Sequence, residues 1–395
     1  MDAMSPDAKV RHSTQAAAPA SQVGWRPDRC DRIALILQGG GALGAYQAGV
    51  YEALHEAGVE PDWVTGVSIG AINCAIIAGN PRNERVGKLR DFWTRITERS
   101  VWLYTPDGDI FRQMRNATSA FLTTLLGQPG FFEPNRPGPW LSFPGATTAT
   151  AYYDTSPLRQ TLTDLVDFDR VNDGPMRLAV GAVNVLTGNF NYFDTANEPI
   201  GVEHIMASGA LPPAFPSVKI GTDYYWDGGI VSNTPLQHLL SQEDSLNSLV
   251  FQVDLFSARG ELPRSIEDVM SRHKDIMYSS RTRLTTDLYR NMHALKGELY
   301  NALKKIPKND LTPEEKIRLE KLSDLPELTI LHLIYQQKAY EGHAKDYEFS
   351  AASMRDHWQS GFEDTKRTLK QRDWLELPPQ GAGILVHDVH RLAEV

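Results

Sequence analysis

Two residues are marked out by their settings. Ser68 lies in Gly66-Val67-Ser68-Ile69-Gly70, a G-x-S-x-G pentapeptide that follows a short apolar run and precedes a small-residue helical pattern. Glycines at those spacings let a strand turn sharply into a helix, with the hydroxyl at the tip and the helix amides behind it. Serine at its own pKa is a weak nucleophile and needs a base. Asp227 is a candidate: it ends the aromatic stretch Tyr224-Tyr225-Trp226 and is followed by Gly228 and Gly229, so the chain turns tightly and the carboxylate can approach other backbone. Taken singly, each motif also reads as ordinary punctuation, a helix-capping serine and an Asx turn. A Ser-His-Asp arrangement would place a histidine late in the chain. His204, His238, His273 and His293 lie downstream, but none occupies a turn suited to hold it, and His238 falls on a plain helix face.

A third motif lies upstream in LILQGGGALGAYQAG, residues 35–49, where Gly39, Gly40 and Gly41 are followed by Gly44. Glycine is costly to order, so the run implies backbone amides brought close to a ligand. Two ligands fit. The spacing G-x-G-x-x-G between a strand and a helix is the dinucleotide fingerprint, whose amides hold a pyrophosphate. That reading wants an acid at the end of the second strand. The strand instead ends in Val67-Ser68, with Glu60 and Asp62 near its start. The spacing alone leaves the other ligand open.

The elements that must carry these motifs follow from hydrophobic patterning. Residues 32–38 are a short apolar run of the kind buried in parallel sheets. Residues 42–58 place Leu43, Tyr46, Val50, Ala53 and Leu54 at helical spacing. A second strand at 62–68 and a small apolar helix at 69–80 complete a strand–helix–strand–helix start, which predicts an α/β fold. A helix is expected at 83–97, a hairpin around Leu186-Thr187-Gly188-Asn189, a helix at 201–210, and strands at 223–229 and 248–256. Residues 101–143 are rich in aromatic and leucine side chains among prolines and glycines. They read either as a cap with its own small core or as a lid facing lipid. Beyond Ser257 the pattern turns to charged helical periodicity, with one further strand near 327–336 and a helix at 350–375.

Together, the three ordered motifs resemble the patatin-like phospholipase family: a G-G-G-x-x-G loop after the first strand, G-x-S-x-G one βα unit later, and D-G-G after the middle of the domain. The small-residue and proline segment ahead of Asp227, residues 207–218, is similar to that family too. The match covers about residues 32–256. The resemblance implies a three-layer α/β/α fold with a mostly parallel central sheet, a Ser68–Asp227 dyad, and an oxyanion loop of Gly39, Gly40 and Gly41, with the Ile69 amide assisting. Gly44, Gly66, Gly70, Gly228 and Gly229 complete the motifs. The chain departs from the family at Leu43, where Arg or Lys is frequent. The expected domains are a disordered tail (1–30), a catalytic domain (31–257, with 101–145 as cap or lid) and a mainly helical C-terminal extension (258–395).

The implied activity is hydrolysis of fatty-acyl esters of phospholipids or lysophospholipids through an acyl-enzyme on Ser68. Acyl transfer or thioester hydrolysis at the same site, and a non-catalytic scaffold, are the alternatives. No His/Cys/carboxylate cluster suggests a metal, and the chemistry needs no cofactor. A net charge of −9 argues against nucleic acid as a partner. The opening residues lack a basic start followed by an apolar run, and no stretch reaches the length of a membrane span. A cytoplasmic location is therefore expected, with peripheral membrane contact and oligomeric state left open.

Overall fold

The structure, a computed structural model, describes residues 24–97, 109–242, 244–307, 309–323, 325–338 and 340–388. Residues 1–23 of the expected tail lie outside them, as do Trp102 and Leu103 of the aromatic segment. The rest of the tail region is packed: Arg26 pairs with Asp62, Trp25 lies against the core and Cys30 is buried.

Strand β1 (Arg32–Leu37) is buried along its whole length. Ile33, Leu35 and Leu37 enter a large core on one side of the sheet, while Ala34 and Ile36 enter a smaller one on the other. A strand covered on both faces gives an unbroken apolar run, because alternate side chains both meet protein. Helix α1 (Ala45–Glu56), strand β2 (Trp63–Val67), helix α2 (Ile69–Ala78) and helix α3 (Arg85–Arg95) follow in the expected order. Every residue of α2 is buried, which suits a helix that is apolar on all sides. Each of its isoleucines contributes about 1.5–3 kcal/mol by leaving water. Ser68 therefore sits on one of the most firmly embedded helices of the fold.

Next come α4 (Asp109–Leu126), a short ribbon of β3 (Glu133–Pro134) with β4 (Tyr153–Asp154), α5 (Ser156–Leu165) and α6 (Phe168–Asp173). The expected hairpin is β5 (Arg177–Asn184) with β6 (Phe190–Asp194), paired antiparallel. Helix α7 (Val202–Ser208), strands β7 (Val218–Ile220) and β8 (Asp223–Asp227), helix α8 (Leu236–Leu240) and strand β9 (Ser248–Asp254) complete the first two thirds. The remainder forms α9 (Ile266–Tyr278), α10 (Thr282–Leu303), α11 (Pro313–Ser323), β10 (Leu328–Ile334), α12 (Ala351–Lys370) and β11 (Ile384–Asp388).

Among the described residues one nine-stranded sheet dominates. Strands β11, β10, β9, β1, β2 and β5 lie side by side and parallel, with helices on both faces. This is the mostly parallel α/β architecture that the motifs imply, with a helix-rich C-terminal region. That region does not stand apart. Its strands β10 and β11 extend the same sheet, and α12 packs on α1 so closely that a Cβ added to Gly361 would lie 2.0 Å from the Tyr46 carbonyl oxygen.

The pairings of β5 position the site. One edge of β5 pairs with β2 from Arg177 to Gly181, ending at Val67↔Gly181. From Ala182 to Asn184 the same edge pairs antiparallel with β8, beginning at Ala182↔Asp227, while β6 occupies the other edge. Where β2 stops, β8 takes its place. The residue after Val67 is Ser68, and the residue opposite Ala182 is Asp227.

Candidate active site

Ser68 has φ 57° and ψ −125°, in the left-handed half of backbone space that side chains avoid. Holding a residue there costs roughly 1–3 kcal/mol and requires surrounding structure to enforce it. The Ser68 amide donates to both the carbonyl and the hydroxyl oxygen of Ser208, each at 3.1 Å, and the Ser208 hydroxyl donates to the Gly181 carbonyl at 2.7 Å. The elbow is thus tied to β5 at the register where β2 ends. Gly66 and Gly70 allow the turn to close, since a Cβ on Gly66 would lie 2.4 Å from the Gly70 carbonyl carbon.

Asp227 is buried, with its amide bonded to the Ala210 carbonyl at 3.0 Å. Its carboxylate accepts from the Gly229 amide at 2.7 Å, and the Ser68 side chain lies close enough to influence it. Burial has the largest influence on this group and raises its pKa. The Ser68 side chain and the Gly229 amide lower it, and the balance stands at about 7. No cation contributes to that balance, so the group stays far above the usual carboxylate range.

The glycine loop lies alongside. Gly39, Gly40, Gly41, Ser68, Ile69, Asp227 and Gly229 share the lining of one cavity of about 370 Å³. Gly44 lies just behind, where the Asn73 amide nitrogen donates to its carbonyl at 3.0 Å and fixes the loop to α2. Gly228 is buried in the turn after β8. The Gly39 amide departs from expectation: it donates to the Asn233 carbonyl at 3.2 Å and is already spent as an anion donor. Gly40, Gly41 and Ile69 keep amides at the cavity wall, Ile69 as the first residue of α2, where helix amides lack intrahelical acceptors. Gly41 must be glycine on two counts: its φ is +53°, and an added Cβ would meet the Asp346 carbonyl oxygen at 2.1 Å.

Much of the remaining lining is apolar and largely aromatic. Ile72, Phe131, Phe132, Leu211, Phe215 and Phe349 contribute to it, and Phe132 and Phe215 pack with ring centroids 5.2 Å apart. The aromatic segment therefore divides. Phe131 and Phe132 belong to the cavity wall, while Trp140, Leu141 and Phe143 stand exposed, so the segment is neither a closed core of its own nor a uniform lid.

Among the described residues no histidine lines the cavity. His238 binds Asp194 at 2.7 Å and lies against Trp63, at the opposite end of β2 from Ser68. His204 accepts from the Gly201 amide. The acids that a dinucleotide site would call on are engaged at that same far end: Glu60 with Arg82 and Arg85, and Asp62 with Arg26 and the Ile33 amide.

Several lining residues escape the sequence reading. Asn233, six positions beyond Asp227, donates to the carbonyls of Gly39 and Tyr278 at 3.0 and 3.1 Å. Behind the lining, buried Gln38 accepts from the amides of Leu255 and Phe256 and donates to Thr234 and the Tyr278 carbonyl. Tyr278, Asp346, Tyr347 and Phe349 reach the cavity from the C-terminal region. The charged helical periodicity there reports only the exposed faces of α9 to α11 and carries no signal for these contacts.

Residues 35–240 match the family described as patatin-like phospholipase, and residues 276–381 match a further family described as patatin phospholipase. The chain belongs to the patatin-like phospholipase family, a family of hydrolases. It is 32% identical over 94 residues to the cGAMP-activated phospholipase of Pseudomonas aeruginosa, covering 22% of this chain and 28% of that protein. It is 52% identical over 50 residues to the lysophospholipase nte1 of Aspergillus terreus, covering 12% of this chain and 3% of that protein. The chain thus spans at most 28% of the length of these curated relatives. Among solved structures it is similar to VipD from Legionella pneumophila, with 15% identity, a TM-score of 0.37, and coverage of 86% of this chain and 67% of that one. Among the described residues no helix is long and apolar enough to cross a membrane.

Proposed function

We propose that this chain is a lipid acyl hydrolase that cleaves fatty-acyl esters of phospholipids or lysophospholipids with Ser68 as nucleophile and Asp227 as base. The observation that carries the reading is the handover on β5, where β8 replaces β2. It supports a Ser68 hydroxyl donating to a buried carboxylate that titrates near neutrality. A general base is most useful when its pKa lies near the working pH.

Ser68 Oγ attacks the ester carbonyl carbon while its proton passes to Asp227. The carbonyl oxygen becomes an oxyanion beside the Gly40, Gly41 and Ile69 amides, with the α2 dipole behind them. The intermediate collapses, the C–O bond to the alcohol breaks, and Asp227 returns the proton to that leaving oxygen. Water then attacks the acyl-enzyme, giving its proton to Asp227, and the free fatty acid departs as Ser68 regains a proton. The aromatic wall suits an alkyl chain and leaves little room for water around it.

The test is fatty-acid release from a phospholipid, and from a short p-nitrophenyl ester, by the native chain, Ser68→Ala and Asp227→Asn. Release by the native chain alone is expected. Release by Ser68→Ala at the native rate removes the nucleophile and the mechanism with it. Failure of a fluorophosphonate to label Ser68 in an inactive native chain favours a scaffold instead.

A further inference from the structure

Helix α9 ends at Tyr278, and the last carbonyls of a helix lack intrahelical donors. The Tyr278 carbonyl accepts instead from two side chains of the first two thirds of the chain, Gln38 Nε2 at 3.0 Å and Asn233 Nδ2 at 3.1 Å. The same Asn233 nitrogen donates to the Gly39 carbonyl. Its Oδ1 lies beside the Asp227 carboxylate, since a Cβ on Gly229 would stand within 3.1 Å of both oxygens. The Tyr278 ring packs on Phe256 with centroids 5.4 Å apart, and Phe256 in turn lies against Gly40. Backbone and ring are therefore both fixed at the wall of the cavity that holds Ser68.

The hydroxyl is the part of this side chain left without a task. Among the described residues three tyrosines line the cavity, Tyr153, Tyr278 and Tyr347. Tyr153 spends its hydroxyl on the Thr124 carbonyl at 2.6 Å. The Tyr347 ring carries the Lys274 ammonium at 4.7 Å, and of the two cavity acids only Asp346 acts on it. Tyr278 lies in the field of both Asp227 and Asp346, and its hydroxyl makes no hydrogen bond among the described residues. Burial, aided by those two charges, pushes the phenol's pKa up, so it keeps its proton and stays a donor.

The proposed reaction has an opening for such a donor. Its oxyanion faces the Gly40, Gly41 and Ile69 amides, whereas the alcohol oxygen that leaves faces Asp227 alone. We propose that Tyr278 is a catalytic residue whose hydroxyl donates a hydrogen bond to the leaving oxygen as the ester bond breaks. The bond from Ser68 Oγ to the carbonyl carbon forms and the bond from that carbon to the alcohol oxygen breaks. The proton that Asp227 took from Ser68 passes to the alcohol oxygen. Tyr278 keeps its own proton throughout and offsets the negative charge that grows on that oxygen before the transfer is complete. In the second half of the cycle the attacking water occupies the same place and accepts the same hydrogen bond. The inference rests on the hydrolase reading and names a residue of the C-terminal region that serves it.

The test is Tyr278→Phe in the full chain, which keeps the ring on Phe256 and the backbone bonds and removes only the hydroxyl. Esters of one acyl chain with glycerol and with p-nitrophenol are compared by kcat/KM, which reports the steps up to departure of the alcohol. A p-nitrophenolate leaves as a stable anion with little need of a donor, whereas a glycerol alkoxide leaves only with help. For the glycerol ester kcat/KM is expected to fall about ten- to a hundredfold, and for the p-nitrophenyl ester several times less. The melting temperature is expected to stay unchanged, since the hydroxyl holds nothing in the fold. Equal losses on the two esters overturn the proposal, because they move the hydroxyl to the oxyanion side or to a packing role. Unchanged rates on both overturn it as well. Hydrolysis that survives Ser68→Ala at the native rate is a separate failure, as is a native chain inactive on both esters whose Ser68 resists a fluorophosphonate. Either one removes the hydrolase reading, and this role with it.

Discussion

Asp194 and Asp227 are both buried carboxylates, and both pair with β5, one opposite Ala179 and the other opposite Ala182. Their chemistry differs because their partners differ. Burial pushes the Asp194 carboxyl upward, but hydrogen bonds from His238, Arg177 and the Ala196 amide, together with the Arg177 charge, outweigh it and bring the pKa to about 2. Asp227 has only the Ser68 side chain and one amide to lower it, and burial prevails, leaving it at about 7. The sheet thus buries one carboxylate paired with cations and, three residues further along β5, one without a cation among the causes of its shift. The first is held ionised; the second is able to take a proton.

The largest effects separate the two by substitution. Asp227→Asn removes the proposed base and is expected to lower turnover by about 10²–10⁴-fold. Its melting temperature at pH 8 should nevertheless equal or exceed that of the native chain, because a desolvated charge is gone. Asp194→Asn should do the reverse. Breaking a buried ion pair costs roughly 3–5 kcal/mol, toward the lower end here because the Arg177 side chain is 25% exposed. Its surviving folded fraction should turn over normally. Turnover and thermal melting on the two variants check this, and an Asp194→Asn chain that is fully stable but inactive breaks the comparison.

The contrast between these acids was only half legible in the sequence. The Asp-Gly-Gly turn marks Asp227, and the G-x-S-x-G elbow marks Ser68, because both motifs serve local backbone geometry that short sequences encode. The unbroken apolar run of β1 and the all-apolar α2 likewise predict a parallel, doubly covered sheet. Asp194 shows nothing, since its partners Arg177 and His238 come from β5 and α8 and meet only through the fold. The same holds for Asn233 and Asp346, whose contacts with the glycine loop cross long sequence separations, and for Tyr278, whose carbonyl meets Gln38 and Asn233. Even Gly39 is legible only in part: its place in the loop is readable, whereas the loss of its amide to Asn233 is not.

Titration sharpens the comparison at the next level of effect. The proposed base must be ionised, so kcat/KM should fall about tenfold per pH unit below an acid limb near pH 7. The folded pKa of Asp227 lies above its unfolded value. Its contribution to stability is therefore fully present below about pH 4, and is lost as pH rises through about 7. Asp194 is the opposite case. Its folded pKa is depressed, so its contribution is present above the unfolded value near 4 and is lost only as pH falls toward 2. Activity should thus disappear on acidification well before the Asp194 network fails. A pH–rate profile set beside far-ultraviolet circular dichroism measures both windows. An acid limb near pH 4 would mean that burial does not govern Asp227.

The smallest effect tests whether Asp227 depends on its lack of charged neighbours. Asn233 is close by: a Cβ placed on Gly229 would be 2.9 Å from Asn233 Oδ1 and 3.1 Å from Asp227 Oδ1. Asn233→Asp nearly preserves shape and adds a second carboxylate within this small space. Two like charges resist ionising together, so the acid limb should move upward by about one unit, with the pair titrating jointly. The substitution also removes the donor to the Gly39 and Tyr278 carbonyls, which lowers the plateau rate. Asn233→Ala removes the same donor without adding charge, and should lower the plateau while leaving the limb near pH 7. If both variants shift the limb equally, the shift comes from loosened backbone and not from charge. The low-partner environment of Asp227 would then be less decisive than its contrast with Asp194 implies.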